Sequence, residues 1–230
     1  SKLNFRASYS TGFRSPQAYD EDFHVAIVGG ERVVTVLAPD LKQESSNSFS
    51  LSADWMQNIG EVQTNVTLEG FYTDLRDVFV LRQLDQPDAA GNDVLERTNG
   101  DGARVFGMNL EARFAFPWPM QLQAGVTVQS SRYKKPEYWS DNEDVAPVRR
   151  MFRTPDTYGY FTLSYNPLKA LTLAMDGTFT GNMLVQHLKG SGTPVDHAVV
   201  TKRFADVSFK ATYMFRLFGS AEMSLTAGLQ

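Results

Sequence analysis

Alternation of apolar and polar residues with a period of two runs through nearly the whole chain. In each of nine segments, one set of alternate positions holds apolar, aromatic or small residues and no charged residue. The other set holds the charges together with Ser, Thr, Asn and Gln. A register shift of one residue would place a charge on the apolar face in seven of the nine segments. The pattern therefore predicts β-strands that have one dry face and one wet face.

The connections between these segments alternate strictly between short and long. The short connections lie at 58–61, 117–119, 166–169 and 217–219. They carry Asn, Gly or Pro, which favour turns. The long connections cover roughly 12–44, 82–100, 133–152 and 183–203. In an antiparallel up-and-down meander, this alternation places every tight turn at one end of the sheet and every long loop at the other.

Aromatic residues of the apolar face fall near its two ends. The set near the long loops comprises Tyr9, Phe49, Tyr72, Phe106 and Phe179. The set near the tight turns comprises Trp55, Phe116, Tyr165, Tyr213 and Phe215. Two belts of rings at the edges of an apolar band suit the two headgroup regions of a bilayer. We therefore expect an all-β outer-membrane barrel, with a soluble β-sandwich as the alternative, because its strands alternate too.

Composition excludes several classes of protein. The net charge of −4 gives no electrostatic case for binding nucleic acid. The chain has no cysteine, so disulfides and thiolate metal sites are excluded. No apolar run approaches the roughly 18 residues that a membrane-spanning helix needs. The length of 230 residues is sufficient for one large sheet.

Matches to enzyme and metal motifs are weak. Ser131 and Lys134 fit the S-x-x-K motif of serine β-lactamases, but residues three apart in a strand point to opposite faces. The three histidines lie in long connections, where solvated side chains are expected rather than a zinc site. Acidic groups at 20–22 and 141–144 lack the spacing of an EF-hand and leave calcium binding open. We predict no enzyme activity, no catalytic residue, no cofactor and no metal site.

Five short motifs follow one another along the chain. They are GFRSP, LKQE, GFYTDLRD, NG followed by GMNLEA, and RTP, at 12–16, 41–44, 70–77, 99–112 and 153–155. In this order, and over essentially the whole chain, they resemble the barrel of TonB-dependent outer-membrane receptors. The tract at 18–24 resembles receptors of the Bacteroides group.

The resemblance implies a larger protein. Such receptors carry an N-terminal plug domain, a segment that contacts TonB, and a barrel of about 22 strands. Residues 1–230 are therefore expected to form one partial barrel domain of about nine strands from the C-terminal part. The plug, the TonB-contact segment and the last strand or strands would lie outside it. An isolated piece of this kind would expose open edges, so we expect it to self-associate.

The resemblance also implies a transport function. The full-length protein is expected in the outer membrane of a Gram-negative bacterium, where it would take up a scarce nutrient with energy delivered through TonB. An iron–siderophore complex is the first expectation, ahead of cobalamin, haem or glycans. The expected partners are outer-membrane lipid, the plug domain, TonB and a small-molecule ligand such as a ferric siderophore, and not nucleic acid. The alternatives are a passive porin-like channel and a soluble β-sandwich binding module.

Two sets of residues are the candidate functional residues. Wet-face charges of mixed sign favour contact with a plug over a selectivity ring of one sign. They are Arg6, Asp54, Glu69, Glu111, Arg113, Asp176, Asp206, Lys210 and Glu222. Rings in the long loops offer stacking area to a ligand. They are Tyr19, Phe23, Tyr138, Trp139 and His187.

Overall fold

The fold is built from β-strands. The computed structural model describes residues 2–17, 33–84, 86, 88–91, 93–140, 142, 144–187, 194–217 and 221–230. None of these residues belongs to a helix long and apolar enough to cross a membrane. The strands are β1 (Lys2–Arg14), β2 (Val33–Leu37), β3 (Glu44–Ile59), β4 (Val62–Arg76), β5 (Phe79–Gln83), β6 (Asp93–Asn99), β7 (Ala103–Ala115), β8 (Met120–Glu137), β9 (Val148–Arg150), β10 (Thr157–Leu168), β11 (Leu171–Thr180), β12 (Leu184–His187), β13 (His197–Val200), β14 (Phe204–Leu217) and β15 (Ala221–Leu229).

One large antiparallel sheet contains the nine long strands. Each pairs with the next in the order β1, β3, β4, β7, β8, β10, β11, β14 and β15, and the short β9 pairs with β8. This meander confirms the predicted fold class and strand number. Among the described residues no pairing joins β1 to β15, so the sheet is open at both edges.

The register places apolar residues opposite apolar residues. Tyr9, Phe49, Tyr72 and Phe106 form one row across four neighbouring strands. The rings of Tyr9 and Phe49 lie 4.8 Å apart between centroids. The side chains below this row are also exposed, and no second layer of the described chain covers them. Examples are Phe5, Leu51, Met108, Val128 and Phe209.

The two ends of the sheet differ as predicted. At one end, tight turns at 60–61, 116–119 and 169–170 join neighbouring strands. Gly60 adopts a positive φ of 60° in the first of these turns, a conformation that glycine adopts without steric cost. The fourth predicted turn, at 217–219, begins at the last residue of β14, and its other two positions lie outside the described residues. The long connections lie at the other end, which we call the long-loop rim.

The long connections contain strands of their own, which the sequence analysis did not predict. Strands β2, β6 and β5 form a three-stranded sheet, and β12 pairs with β13. A small hydrophobic core lies beneath the first of these sheets. It consists of Val78, Val80 and Ala103, with Leu75, Tyr133 and Met151 packed against it. In the described part of the long-loop rim, apolar side chains of the connections are therefore buried against the ends of β4, β7 and β8.

Candidate functional site

The polar face of the main sheet carries a connected set of hydrogen bonds. The Asp54 carboxylate accepts bonds from Asn65 Nδ2 at 2.7 Å and Thr67 Oγ1 at 2.8 Å. One strand further, Asn109 donates from Nδ2 to Glu69 at 3.0 Å. Each carboxylate lies opposite a small or amide residue in the register, so the alternation of the sequence produces the polar ladder.

A second group on the same face surrounds Glu111. Arg113, two residues along β7, donates from Nη2 to Glu111 Oε1 at 2.7 Å. Gln123 Nε2 donates to the same oxygen at 2.6 Å and lies 2.8 Å from the hydroxyl of Tyr160. Glu111 and Arg113 thus form an ion pair whose opposite charges largely offset each other. Gln123 and Tyr160 add an amide and a hydroxyl group to this part of the polar face.

The remaining predicted wet-face charges also lie on the polar face. Arg6 stands opposite Ser52, and Asp176 stands between Thr162 and Ser208. The other three are Asp206, which accepts a bond from Gln230, Lys210, opposite Ala174, and Glu222, paired with Arg216. The structure therefore brings Asp54, Glu69, Glu111 and Arg113 together on β3, β4 and β7. Glu222 lies apart, near the tight turns.

A concave surface of about 780 Å³ lies at the tight-turn end of β3, β4, β7, β8 and β10. Amide side chains dominate its polar lining, which includes Gln57, Asn58, Gln63, Asn65, Gln121 and Gln123. Each amide offers both a donor and an acceptor. The lining also includes the cations Lys2 and Arg113, so the concavity offers both amide groups and positive charge to a polar protein segment.

The predicted ligand-binding rings are distributed unevenly. Tyr19 and Phe23 lie outside the described residues, as does the tract at 18–24. Tyr138 is 71% exposed, whereas Trp139 packs edge-on against Phe152 with centroids 5.4 Å apart. His187 stacks on His197 across the hairpin of β12 and β13 at 5.3 Å. The structure thus places Tyr138, Trp139 and His187 at one rim, where Tyr138 and His187 are exposed and Trp139 is half-buried.

Two long connections at this rim are interlocked. Arg150 donates from Nη2 to the carbonyl oxygen of Asn182 at 2.7 Å and to its side-chain oxygen at 3.0 Å. The backbone N–H of Arg153 donates to the carbonyl of Leu184 at 2.7 Å. Ser140 donates to Asp196 at 2.6 Å. The rings of Tyr138, Trp139 and His187 therefore lie on two connections, 138–156 and 181–203, that are hydrogen-bonded to each other.

A cluster of charges on the apolar side was missed by sequence reasoning. It comprises Asp74, Arg76, Arg104, Arg132 and Lys134, and we call it the outer basic patch. These residues continue the apolar alternation of β4, β7 and β8 beyond the row of Tyr72 and Phe106. The alternation that places these charges on the apolar side is visible in the sequence. The sequence analysis missed them because it ended each apolar segment at its last apolar residue.

Asp74 is the centre of this patch. Lys134 Nζ lies 2.8 Å from its carboxylate, Arg76 Nε 3.2 Å and Arg104 Nε 3.7 Å. The hydrogen bond from Lys134, opposed by partial desolvation and aided by Arg76, lowers the pKa of this carboxyl group below its ordinary value. Asp74 lies beyond the aromatic row, at the rim.

No metal centre is formed by the described part of the chain, where no three His, Asp or Glu side chains are grouped to hold an ion.

The comparisons with known proteins agree with this architecture. A family model described as TonB dependent receptor-like, beta-barrel, matches residues 1–230. No curated protein matches the chain in sequence.

Solved structures share the fold at low sequence identity. The siderophore receptor PirA from Pseudomonas aeruginosa is 13% identical, with a TM-score of 0.62 over 99% of this chain and 40% of that one. A mutant of the ferric enterobactin receptor PfeA from the same organism is 16% identical, with a TM-score of 0.60 over 98% and 32%. The FrpB iron transporter from Neisseria meningitidis is 17% identical, with a TM-score of 0.56 over 92% and 30%. The chain thus spans 30% to 40% of the length of these three structures.

Proposed function

Because the chain belongs to the family of TonB-dependent receptor-like β-barrels, we propose that it forms part of the wall of a transporter in the outer membrane of a Gram-negative bacterium. The transporter takes up a scarce nutrient, with an iron–siderophore complex as its cargo. The structures similar to this chain include a siderophore receptor and a ferric enterobactin receptor, which supports this cargo. The work is transport rather than bond chemistry, so no catalytic residue is required.

The observation that carries the proposal is the division of the sheet into two faces. The apolar face is exposed, uncharged between its aromatic rows, and covered by no other part of the described chain. Its strands have nine to eighteen residues, and about 9–11 residues suffice for a tilted strand to cross a bilayer. Hydrocarbon is the environment that satisfies such a face, since its backbone groups already pair within the sheet.

The polar face is assigned to the plug domain of the full-length chain. Its charges have mixed signs, and its concave end is rich in amides, which suits a protein surface better than a stream of one ion type. TonB acts on this plug through the N-terminal part of the receptor. The wet-face charges therefore serve as plug contacts in the proposal.

The long-loop rim is assigned to the cell surface and to ligand capture. The rings of Tyr138, Trp139 and His187 lie on its interlocked connections, and Tyr19 and Phe23 belong to the same proposed set. A siderophore of the catecholate class offers flat rings that stack on such side chains.

The test is uptake by cells that carry the full-length protein containing this chain. Uptake of radioactive iron as ferric enterobactin is measured in a strain that lacks its own receptors. We expect uptake that disappears when TonB is deleted. Uptake that persists without TonB would favour the porin-like channel. A water-soluble, detergent-independent product would favour the β-sandwich module.

The rim residues are tested by substitution in the same assay. Tyr138→Ala and Trp139→Ala are each expected to raise the ligand concentration for half-maximal uptake several-fold, by removing stacking contacts of about 1 kcal/mol each. The matched control is Trp118→Ala, an exposed ring in the turn between β7 and β8. An equal effect of all three changes would contradict a ligand site at the rim.

A further inference from the structure

The outer basic patch lies directly above the apolar face. Asp74, Arg104 and Arg132 form one row across β4, β7 and β8. The row immediately below on the same face contains Tyr72, Phe106 and Ser130. On each of these strands, the residue of the patch therefore lies only two positions beyond the adjacent residue of the apolar face.

The charges of the patch do not cancel. The patch contains four cations and one carboxylate: Arg76, Arg104 and Lys134 pair with Asp74, and Arg132 stands opposite Arg104 in the register. Arg76 and Arg104 remain 63% and 59% exposed in their side chains, and Arg132 is also exposed, with Nε donating to Ser130 Oγ at 3.1 Å. Three positive charges are thus in excess on a surface that faces away from the polar face.

Contacts of the partly buried Lys134 side chain fix the position of the patch. Lys134 is only 22% exposed and donates from Nζ to the carbonyl of Leu75 at 2.9 Å as well as to Asp74. Gly102 makes room for this side chain, since a Cβ there would lie 3.2 Å from Lys134 Nζ and 2.3 Å from Leu75 O. Lys134 and Asp74 therefore form a fixed base, and the Asp74 carboxylate also pairs with Arg76 and Arg104.

We propose that the outer basic patch binds the phosphorylated headgroup of a lipid of the outer leaflet, while its acyl chains lie on Phe106, Met108 and Val128. This inference rests on the proposed outer-membrane location. The guanidinium group matches the tetrahedral oxygens of phosphate and binds them in pairs. Because the apolar surface begins one row below, the best-matched anion carries its phosphate directly beside acyl chains, as lipid A does.

The test removes the exposed charges and keeps the base. In the full-length protein containing this chain, Arg76, Arg104 and Arg132 are all changed to Gln. The charge-matched control changes Lys2, Lys169 and Arg216 to Gln at the tight-turn end. Each protein is purified in detergent, and bisphosphorylated and monophosphorylated lipid A are titrated separately and followed by native mass spectrometry.

The expected result is selective loss of lipid. The triple Arg→Gln variant should bind bisphosphorylated lipid A at least about tenfold more weakly, since charge-assisted hydrogen bonds are lost. The control should bind like wild type, and monophosphorylated lipid A should bind wild type more weakly. Equal binding by wild type and the triple variant would overturn the proposal, as would equal displacement of the lipid by inorganic phosphate at the same concentration.

Failure of this inference can be distinguished from failure of the transport function. The triple variant should retain TonB-dependent uptake of ferric enterobactin, because the patch lies on the opposite side from the proposed plug contacts. If the lipid does not bind but uptake persists, only the lipid site is wrong. If wild type binds lipid A but takes up no iron complex, the transport proposal is wrong and the lipid site stands.

Discussion

At the scale of single residues, neighbours in one strand meet opposite environments. Leu110 belongs to the apolar face, whereas Asn109 and Glu111 on either side of it make hydrogen bonds on the polar face. Packing is similarly local. Gly177 is buried because the ring of Phe161, its partner on β10, covers it. Substitution by alanine can therefore change the stability in opposite directions at two glycines of the same face.

The first prediction compares Gly177→Ala with Gly70→Ala. A Cβ at Gly177 would lie 2.2 Å from the Phe161 ring, whereas one at Gly70 would have no neighbour within 4 Å. Gly177→Ala should destabilise the barrel by about 1–3 kcal/mol through overpacking. Gly70→Ala should be neutral or stabilising by about 0.5–1 kcal/mol. Urea unfolding of the full-length protein in lipid vesicles measures both, and equal effects would contradict the packing.

The second prediction concerns pH at the rim. The pKa of Asp74 is lowered in the folded state, chiefly by Lys134. Its stabilising effect is therefore present above the unfolded pKa of about 3.9 and is lost as the pH falls through the folded value. Asp74→Asn should lower the unfolding temperature at about pH 7, and the gap to wild type should close below about pH 4.

The control for this pH effect is Asp101→Asn. Asp101 pairs with Lys135, and both side chains are largely exposed. Such surface pairs contribute little, so this change should leave the unfolding temperature nearly constant at every pH. A gap between Asp74→Asn and wild type that did not vary with pH would refute the role assigned to the Asp74 carboxylate.

At the scale of elements, described residues of two long connections, 138–156 and 181–203, are hydrogen-bonded to each other. The hairpin of β12 and β13 is attached to the connection 138–156 by Arg150, by the backbone bond from Arg153 to Leu184, and by Ser140. These contacts join parts of the chain that are some 30 to 56 residues apart. The orientation of the rim rings is therefore set by pairs of connections rather than by single loops.

The third prediction tests this attachment with Arg150→Ala. Hydrogen bonds from a charged donor contribute about 1.5–3 kcal/mol, so amides of β12 and β13 should exchange with solvent about ten times faster or more. Arg149→Ala is the matched control, because Arg149 is the exposed neighbour. Hydrogen exchange by mass spectrometry measures both variants. Unchanged exchange in Arg150→Ala would show that the hairpin is held by other contacts.

At the scale of the whole molecule, one face of the sheet is proposed to touch hydrocarbon and the other to touch the plug. The fourth prediction compares adjacent residues of β7, Leu110→Arg and Asn109→Arg. An arginine facing lipid near the midplane costs about 2–4 kcal/mol, so Leu110→Arg should impair assembly of the full-length barrel. Asn109→Arg points toward Glu69 and should assemble normally.

Assembly is measured by the heat-modifiable mobility of the folded barrel on denaturing gels. If Asn109→Arg were the more damaging change, the apolar face would not be the lipid-facing one. Equal impairment of both variants would also exclude lipid as the partner of one face only.

The sequence by itself determined the strands, their faces and the order of turns. A period of two extends over nine segments, and a slip of one residue would place charges on the apolar face, so the face of each residue was already specified. The sequence also placed Tyr9, Phe49, Tyr72 and Phe106 near the long-loop end, whereas their pairing in one row is a finding of the structure. The connection lengths likewise specified which end of the sheet carries the rim. These features depend on local backbone geometry and near neighbours, which a sequence pattern reports directly.

Only the tertiary structure determined how strands pair and side chains make contact at the long-loop rim. Strands β2, β5 and β6 are short, and β2 pairs in parallel with β6 from a connection about 60 residues away. No local period predicts such a pairing. The same holds for Lys134, which reaches Asp74 across the gap left by Gly102, and for the interlocked connections that carry Trp139. These arrangements depend on contacts between distant segments, whose geometry exists only after the sheet has formed.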